Sequence, residues 1–187
     1  MEGAGLTVCT VGHSNRTLED FITLLRSQKI ERVADVRRFP GSRRYPHFNQ
    51  ENFSSALREH GIDYLHFPEL GGRRNPKPDS PNSAWRNEAF RGYADYMETE
   101  EFRQGMERLI GEARARPSAI MCAEVLWWQC HRSMIADFLK AAGCHVLHIL
   151  GPQKIEEHRY SQPAQIVNGQ LTYHKVEPQP QLALGSK

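Results

Sequence analysis

Residues 6–25 read Leu6-Thr-Val-Cys-Thr-Val-Gly-His-Ser-Asn-Arg-Thr-Leu-Glu-Asp-Phe-Ile-Thr-Leu-Leu25, and within them the hydrophobic period changes once. Leu6 to Val11 is a short β-branched run that ends in Gly12-His13-Ser14, as a buried strand entering a loop would. Thr17-Leu-Glu-Asp20 then resembles a capping box, and Leu18, Phe21, Ile22 and Leu25 recur at helical spacing. This is a βα unit.

Outward from it the pattern repeats. Arg32 to Val36 is the next strand, followed by a polar, Pro- and Arg-rich loop from Arg37 to His47 and a helix opened by Asn49 that carries Phe53, Ala56 and Leu57. Gly61 ends that helix, and Ile62 to Phe67 gives a third strand running into Pro68-Glu69-Leu70-Gly71-Gly72. From Arg73 to Ser83 three prolines rule out regular structure, which leaves a long loop or flap. Two helices follow, one with Phe90, Tyr93, Ala94 and Met97, the other with Phe102, Met106, Leu109, Ile110 and Ala113, stopping at Pro117. Ser118 to Cys122 is a fourth strand, Cys130 to Ala142 a helix capped by Gly143, and Cys144 to Ile149 a fifth strand. Alternation of this kind predicts a three-layer α/β sandwich: a mostly parallel sheet of about five strands with helices on both faces. A single domain is expected over residues 1–175, with a hairpin turn at Val167-Asn-Gly-Gln-Leu171 and a disordered tail over 176–187.

The 187 residues are 25% charged and 39% hydrophobic, as in an ordinary globular protein. There is no apolar run of about 18 residues and no basic-then-apolar leader, so a cytoplasmic protein without a membrane partner is expected. Cysteines 9, 122, 130 and 144 lack the spacing of a disulfide framework and are read as free thiols. A net charge of +2 does not argue for nucleic acid, but Arg37-Arg38, Arg43-Arg44 and Arg73-Arg74 concentrate positive charge in loops.

Chemically capable residues follow the strands: His13 and Ser14 the first, Asp35 and Arg37 the second, Glu69 the third, Cys122 and Glu124 the fourth. In open parallel sheets ligands bind at the carboxyl ends of strands, so these groups are expected to converge on one crevice. Cys130-His131-Arg132 falls at the start of a helix, where the dipole and a neighbouring arginine favour a thiolate; a small buried packing cysteine is the plainer alternative. Cys122 is expected to face the core, whereas Glu124 is either an ion-pair partner of Arg37 or Arg132 or a general base. His13 is a proton-transfer group or a histidine satisfied by backbone at a turn. A metal held by Cys122, Glu124, Cys130 and His131 would not have a standard zinc spacing. Phe39, Tyr45 and Phe48 interleave with the arginines, a composition that either holds a nucleotide or pins a long loop. Trp127-Trp128 either walls the crevice or packs in the core.

Thr10-Val-Gly-His-Ser14, Asp35-Val-Arg37 with Phe39-Pro40 and Ser42, Pro46 with Phe48, Glu69-Leu-Gly71 and Cys122-x-Glu124 with Cys130-His-Arg132 together resemble the family known as domain of unknown function 488. The resemblance spans roughly residues 7 to 160. It implies a compact intracellular α/β domain, found mostly in bacteria and archaea, and supplies no activity.

The sequence has no G-x-G-x-x-G, no P-loop, no G-x-S-x-G and no C-x5-R cradle at Cys122, so the familiar α/β enzymes are poorly matched. The expected function is an enzyme acting on a small anionic substrate or on a nucleotide or nucleic-acid component. Its catalytic residues would be His13, Glu124, Cys130 and His131, with Ser14, Asp35, Arg37, Arg43, Glu69 and Arg132 binding substrate. The alternatives are a ligand- or nucleic-acid-binding module without turnover and a metal or redox protein. No cofactor and no oligomeric state can be named from these residues.

Overall fold

A computed structural model describes residues 5–175. Its strands and helices alternate: β1 (Thr7–Gly12), α1 (Leu18–Ser27), β2 (Arg32–Asp35), α2 (Gln50–Glu59), β3 (Asp63–His66), α3 (Glu88–Met97), α4 (Glu100–Ala115), β4 (Ser118–Cys122), α5 (Arg132–Ala141), β5 (His145–Gly151) and β6 (Lys154–Glu157). They form a six-stranded sheet in the order β3-β2-β4-β1-β5-β6. The five strands expected from the sequence pair in parallel. β6 is the addition, antiparallel to β5. Lys154-Ile-Glu-Glu157 offers one apolar residue among charges, so it reads as loop; on an edge, such charge keeps the strand from pairing with another chain.

Period-two alternation sends side chains to two cores. Ala119 and Met121 of β4 join Phe21, Leu24 and Leu25 of α1 and Phe53 and Leu57 of α2 on one face. Ile120 and Cys122 join Tyr93, Phe102, Met106 and Met134, on α3, α4 and α5, on the other. The fold is therefore the expected α/β sandwich. The same alternation directs Cys122 toward the layer that contains α5.

Several local signals are realised. Thr17 Oγ1 accepts the Asp20 N–H at 3.1 Å to cap α1. Asn168 and Gly169 take positive φ values of 51° and 79°, the two-residue turn of the hairpin between Gln165–Val167 (β7) and Gln170–Thr172 (β8). The loop from Arg73 to Ser83 is tied to the buried Asp95 carboxylate, which accepts from Lys77 N (2.7 Å), Ser80 Oγ (2.5 Å) and Asn82 Nδ2 (2.9 Å). The helix expected from Cys130 starts two residues later, because Cys130 is extended and His131 is the cap. No helix among the described residues is long and apolar enough to cross a membrane. The tail expected over 176–187 lies outside the described residues.

A buried polar chain runs behind α5. Arg132 Nη1 donates to Thr10 Oγ1 (3.3 Å), Thr10 to His148 Nδ1 (2.7 Å), His148 Nε2 to His158 Nδ1 (2.9 Å) and His158 Nε2 to Asp137 (3.0 Å). Arginine can only donate and a carboxylate only accept, so these two ends fix the direction of every proton between them. Trp127 covers the chain, stacked on His148 at 4.2 Å. Burial, followed by the charges of His158 and Arg132, lowers the His148 pKa to about 2.

A histidine whose folded pKa is depressed contributes full stability above its unfolded value and loses it as pH falls. His148 alone should cost about 2 kcal/mol between about pH 7.5 and pH 5. Urea midpoints at the two pH values should show this loss in the wild type, and a smaller loss in His148→Gln. An equal loss in both proteins contradicts the assignment.

Candidate functional site

A cavity of about 770 Å³ opens at the carboxyl ends of β1, β2 and β4. Two loops form its floor. His13 N–H donates to Cys122 O (3.0 Å) and Ser14 N–H to Ala123 O (2.8 Å), which ties the turn after β1 to the turn after β4. That approach requires Gly12: a β-carbon there would overlap the Glu124 carbonyl. The same carbonyl accepts from Arg132 Nη2, which also reaches Val125 O at 3.5 Å.

The turn so fixed brings three soft donors together. The Sγ atoms of Cys122 and Cys130 and a ring nitrogen of His131 all lie within 4.8 Å of one another. His131 Nε2–H donates to the Val36 carbonyl at 3.1 Å, which leaves the Nδ1 lone pair facing Cys130 Sγ at 3.6 Å. Arg132 N–H, at the start of α5, points at the same sulfur from 3.5 Å. Gly72 makes room for the ring, because a β-carbon there would lie 2.9 Å from His131 Nδ1.

Electrostatics separate the four cysteines. Burial pushes the Cys9 thiol up to about 11 and raises Cys144 as well. Cys122 is raised because its thiol is hydrogen-bonded to Cys130, and burial adds to the effect. Burial also works against a Cys130 thiolate, but the Cys122 thiol, His131 and the Arg132 charge outweigh it and hold Cys130 well below the usual thiol value.

His13 is 4% exposed and stacks on Phe48 at 4.2 Å. Its Nδ1–H donates to Ser14 O (2.9 Å), and its Nε2 accepts from Arg37 Nη1 (3.3 Å). Burial and then the Arg37 charge bring its pKa down to about 4, so the ring is neutral at neutral pH with both nitrogens engaged. Arg37 is in turn clamped by the fully buried Asp35, through Nε at 2.9 Å and Nη2 at 2.6 Å, while Tyr64 donates to the same carboxylate at 2.7 Å. Burial opposes the Arg37 charge, but Asp35 outweighs it and the pKa rises.

Of the residues expected at the site, His13, Ser14, Arg37, Glu124, Cys130 and His131 line the cavity, and Cys122 joins them at its floor. Asp35 and Arg132 lie directly beneath, where they position Arg37 and the Glu124 turn. Glu69 lies elsewhere, paired with Arg108 at 2.7 Å against α4. Arg43 is exposed and does not line the cavity; Arg44 does, together with Arg38 and Arg73 from neighbouring loops. Unlike Arg37 and Arg108, these three arginines form no ion pair among the described residues. Phe39, 66% exposed, lines the cavity with Tyr45 and Phe90, and the buried Tyr93 backs it, packed against His131 at 5.1 Å. Sequence reasoning missed Asp137, His148 and His158. The available signal was a polar histidine in the apolar run Val146-Leu-His148-Ile149, which a buried strand holds only with a partner.

The chain matches the family model described as "Domain of unknown function DUF488" over residues 17–139. That segment takes in the arginine loops and Cys122 to Arg132 but not His13 or Ser14. No curated protein and no solved structure matches it.

Gly12→Ala should force the Glu124 turn away from β1 and cost about 1–3 kcal/mol or more. Urea denaturation checks this, and a variant as stable as wild type contradicts the close packing of the two turns.

Proposed function

The chain belongs to the DUF488 family, and from the geometry of its cavity we propose an enzyme that acts on a small anionic substrate, a nucleotide or nucleic-acid component, through a thiolate at Cys130. The observation that carries this reading is the orientation of His131. Its Nε2–H is held by the Val36 carbonyl, and its Nδ1 faces the sulfur. A nucleophile beside a base that a third group orients is the general requirement for covalent catalysis.

In this reading Cys130 attacks the substrate, and His131 Nδ1 takes the thiol proton and returns it to the leaving group. Glu124, exposed in the cavity with no hydrogen bond to its carboxylate among the described residues, serves proton transfer on the substrate side. His13, neutral and bonded at both nitrogens, is a polar wall beside Ser14. Arg38, Arg44 and Arg73 bind the anion, because arginines without carboxylate partners are free to take phosphate or carboxylate oxygens bidentately. Phe39, Tyr45 and Phe90 supply faces for a planar group such as a base.

A second reading is favoured by the same triangle. Cys122, Cys130 and His131 present two sulfurs and one nitrogen, and the Val36 carbonyl accepts from the other ring nitrogen of His131, as a backbone carbonyl commonly does for a metal-ligating histidine. Glu124 stands outside that set. Stoichiometric zinc in the purified protein, lost in Cys130→Ser, would replace the thiolate reading with this one.

A neutral alkylating reagent applied from about pH 5 to pH 9 should label wild type with an apparent pKa well below the free-thiol value of about 8.5. Cys130→Ser should lose the fast phase. His131→Gln should shift it upward, with labelling near pH 6 falling at least about tenfold. Inorganic phosphate or a nucleoside monophosphate should protect wild type more than Arg44→Gln. Slow labelling of metal-free wild type contradicts the thiolate, and salt-dependent retention of oligonucleotides without turnover favours a binding module.

A further inference from the structure

Cys122 and Cys130 occupy the same cavity floor but differ in character. Cys130 is the sulfur that His131 and the first N–H of α5 serve; Cys122, at the last position of β4, lies beside it with no histidine of its own. The two Sγ atoms are within 4.8 Å, and both residues line the cavity, so a small molecule that reaches one sulfur finds the other in range. Neither Cys9 nor Cys144 lines it.

We infer that Cys122 and Cys130 form a reversible dithiol modification site that takes a hydroperoxide, with Cys130 the attacking and Cys122 the resolving sulfur. The inference rests on the reading of Cys130 as the reactive thiolate. In the first step the Cys130 thiolate attacks one peroxide oxygen, the O–O bond breaks, and Cys130 becomes a sulfenic acid. The departing oxygen leaves as water, or as an alcohol from an organic peroxide, after protonation. In the second step the Cys122 sulfur attacks the Cys130 sulfur, the S–O bond breaks, and water leaves with the Cys122 proton. Two thiols and one peroxide thus give one disulfide, one water and one water or alcohol; the thiols lose two electrons and the peroxide gains them.

The geometry favours the disulfide over further oxidation. A disulfide needs its sulfurs at about 2.05 Å, so they must close by less than about 3 Å. Cys130 sits in extended backbone between the Trp127–Gln129 turn and α5, one residue ahead of the His131 cap rather than inside the helix. A low-pKa thiolate beside a resolving cysteine is the arrangement found in reversible redox sensors. Closing the bond consumes the Cys130 thiolate, so oxidation would switch the proposed activity off and a thiol reductant would restore it.

The experiment treats chelator-washed, fully reduced protein with one equivalent of hydrogen peroxide, alkylates what remains free, and maps thiols by mass spectrometry. The expected result is a Cys122–Cys130 cross-linked peptide, with Cys9 and Cys144 alkylated, loss of the fast-labelling phase, and its recovery on reduction. Cys122→Ser, which removes one of the groups that favour the Cys130 thiolate, should keep a Cys130 labelling phase that is slower than wild type but still faster than that of Cys9 or Cys144, and on oxidation should stop at a sulfenic acid that a cyclic 1,3-diketone traps. Wild-type Cys130 oxidised to sulfenic or sulfinic acid while Cys122 stays alkylatable overturns the dithiol site and leaves the reactive thiolate standing. Both thiols still alkylatable after peroxide overturns the site and the thiolate reading together.

Discussion

The buried Arg132 guanidinium is the interaction on which the rest of the site depends. It is 1% exposed and has no carboxylate against it among the described residues; its partners there are the Thr10 hydroxyl and the carbonyls of Glu124 and Val125. A buried cation with dipolar partners only is costly, and it persists where the surrounding structure fixes those dipoles. The fixing is done from two sides. Gly12 lets β1 press against the Glu124 carbonyl, and the Thr10–His148–His158 chain carries hydrogen bonding through to the Asp137 carboxylate on α5 itself. Arg132 thereby joins β1, the turn after β4 and α5, the three elements that must agree for Cys122 and Cys130 to meet.

The charge of Arg132 then does chemical work on its neighbour. All four cysteines are largely withdrawn from water, and burial raises each of them. Only Cys130 receives a thiol hydrogen bond, a histidine ring, a helix-terminal N–H and an arginine together, and only Cys130 goes the other way. The same guanidinium helps keep His148 neutral. On the cavity side the pattern reverses: Arg38, Arg44 and Arg73 are exposed without acidic partners among the described residues, leaving a positive rim around a sulfur-lined floor.

The layers of the fold were legible because parallel strands buried on both faces write themselves as continuous apolar runs, as in Ser118 to Cys122, and helices as 3.6-residue periods, as in Phe102 to Ala113. β6 escaped because an edge strand made of Lys154, Glu156 and Glu157 has no such period. The site was legible to the extent that topology dictates it: strand ends converge, so His13, Arg37 and Glu124 meet Cys130 and His131 although they are far apart in the chain. Position after a strand does not reveal which way a side chain is spent. Asp35 turned out to serve Arg37, and Glu69 is taken by Arg108 on a helix that no local pattern links to it. Arg43 and Arg44 are equivalent in sequence, and only the loop's path decides that Arg44 reaches the cavity. Cys122 is both what the strand pattern said, a buried residue, and something it could not say, the neighbour of Cys130.

Whether Cys130 ionises well below an ordinary thiol is read from the far-ultraviolet thiolate absorbance of metal-free protein titrated with pH, taken as the difference between wild type and Cys130→Ser. The difference spectrum should contain one thiolate whose midpoint lies well below the free-thiol value of about 8.5. A difference that develops only above that value would show Cys130 to be a protonated packing residue and would contradict the account.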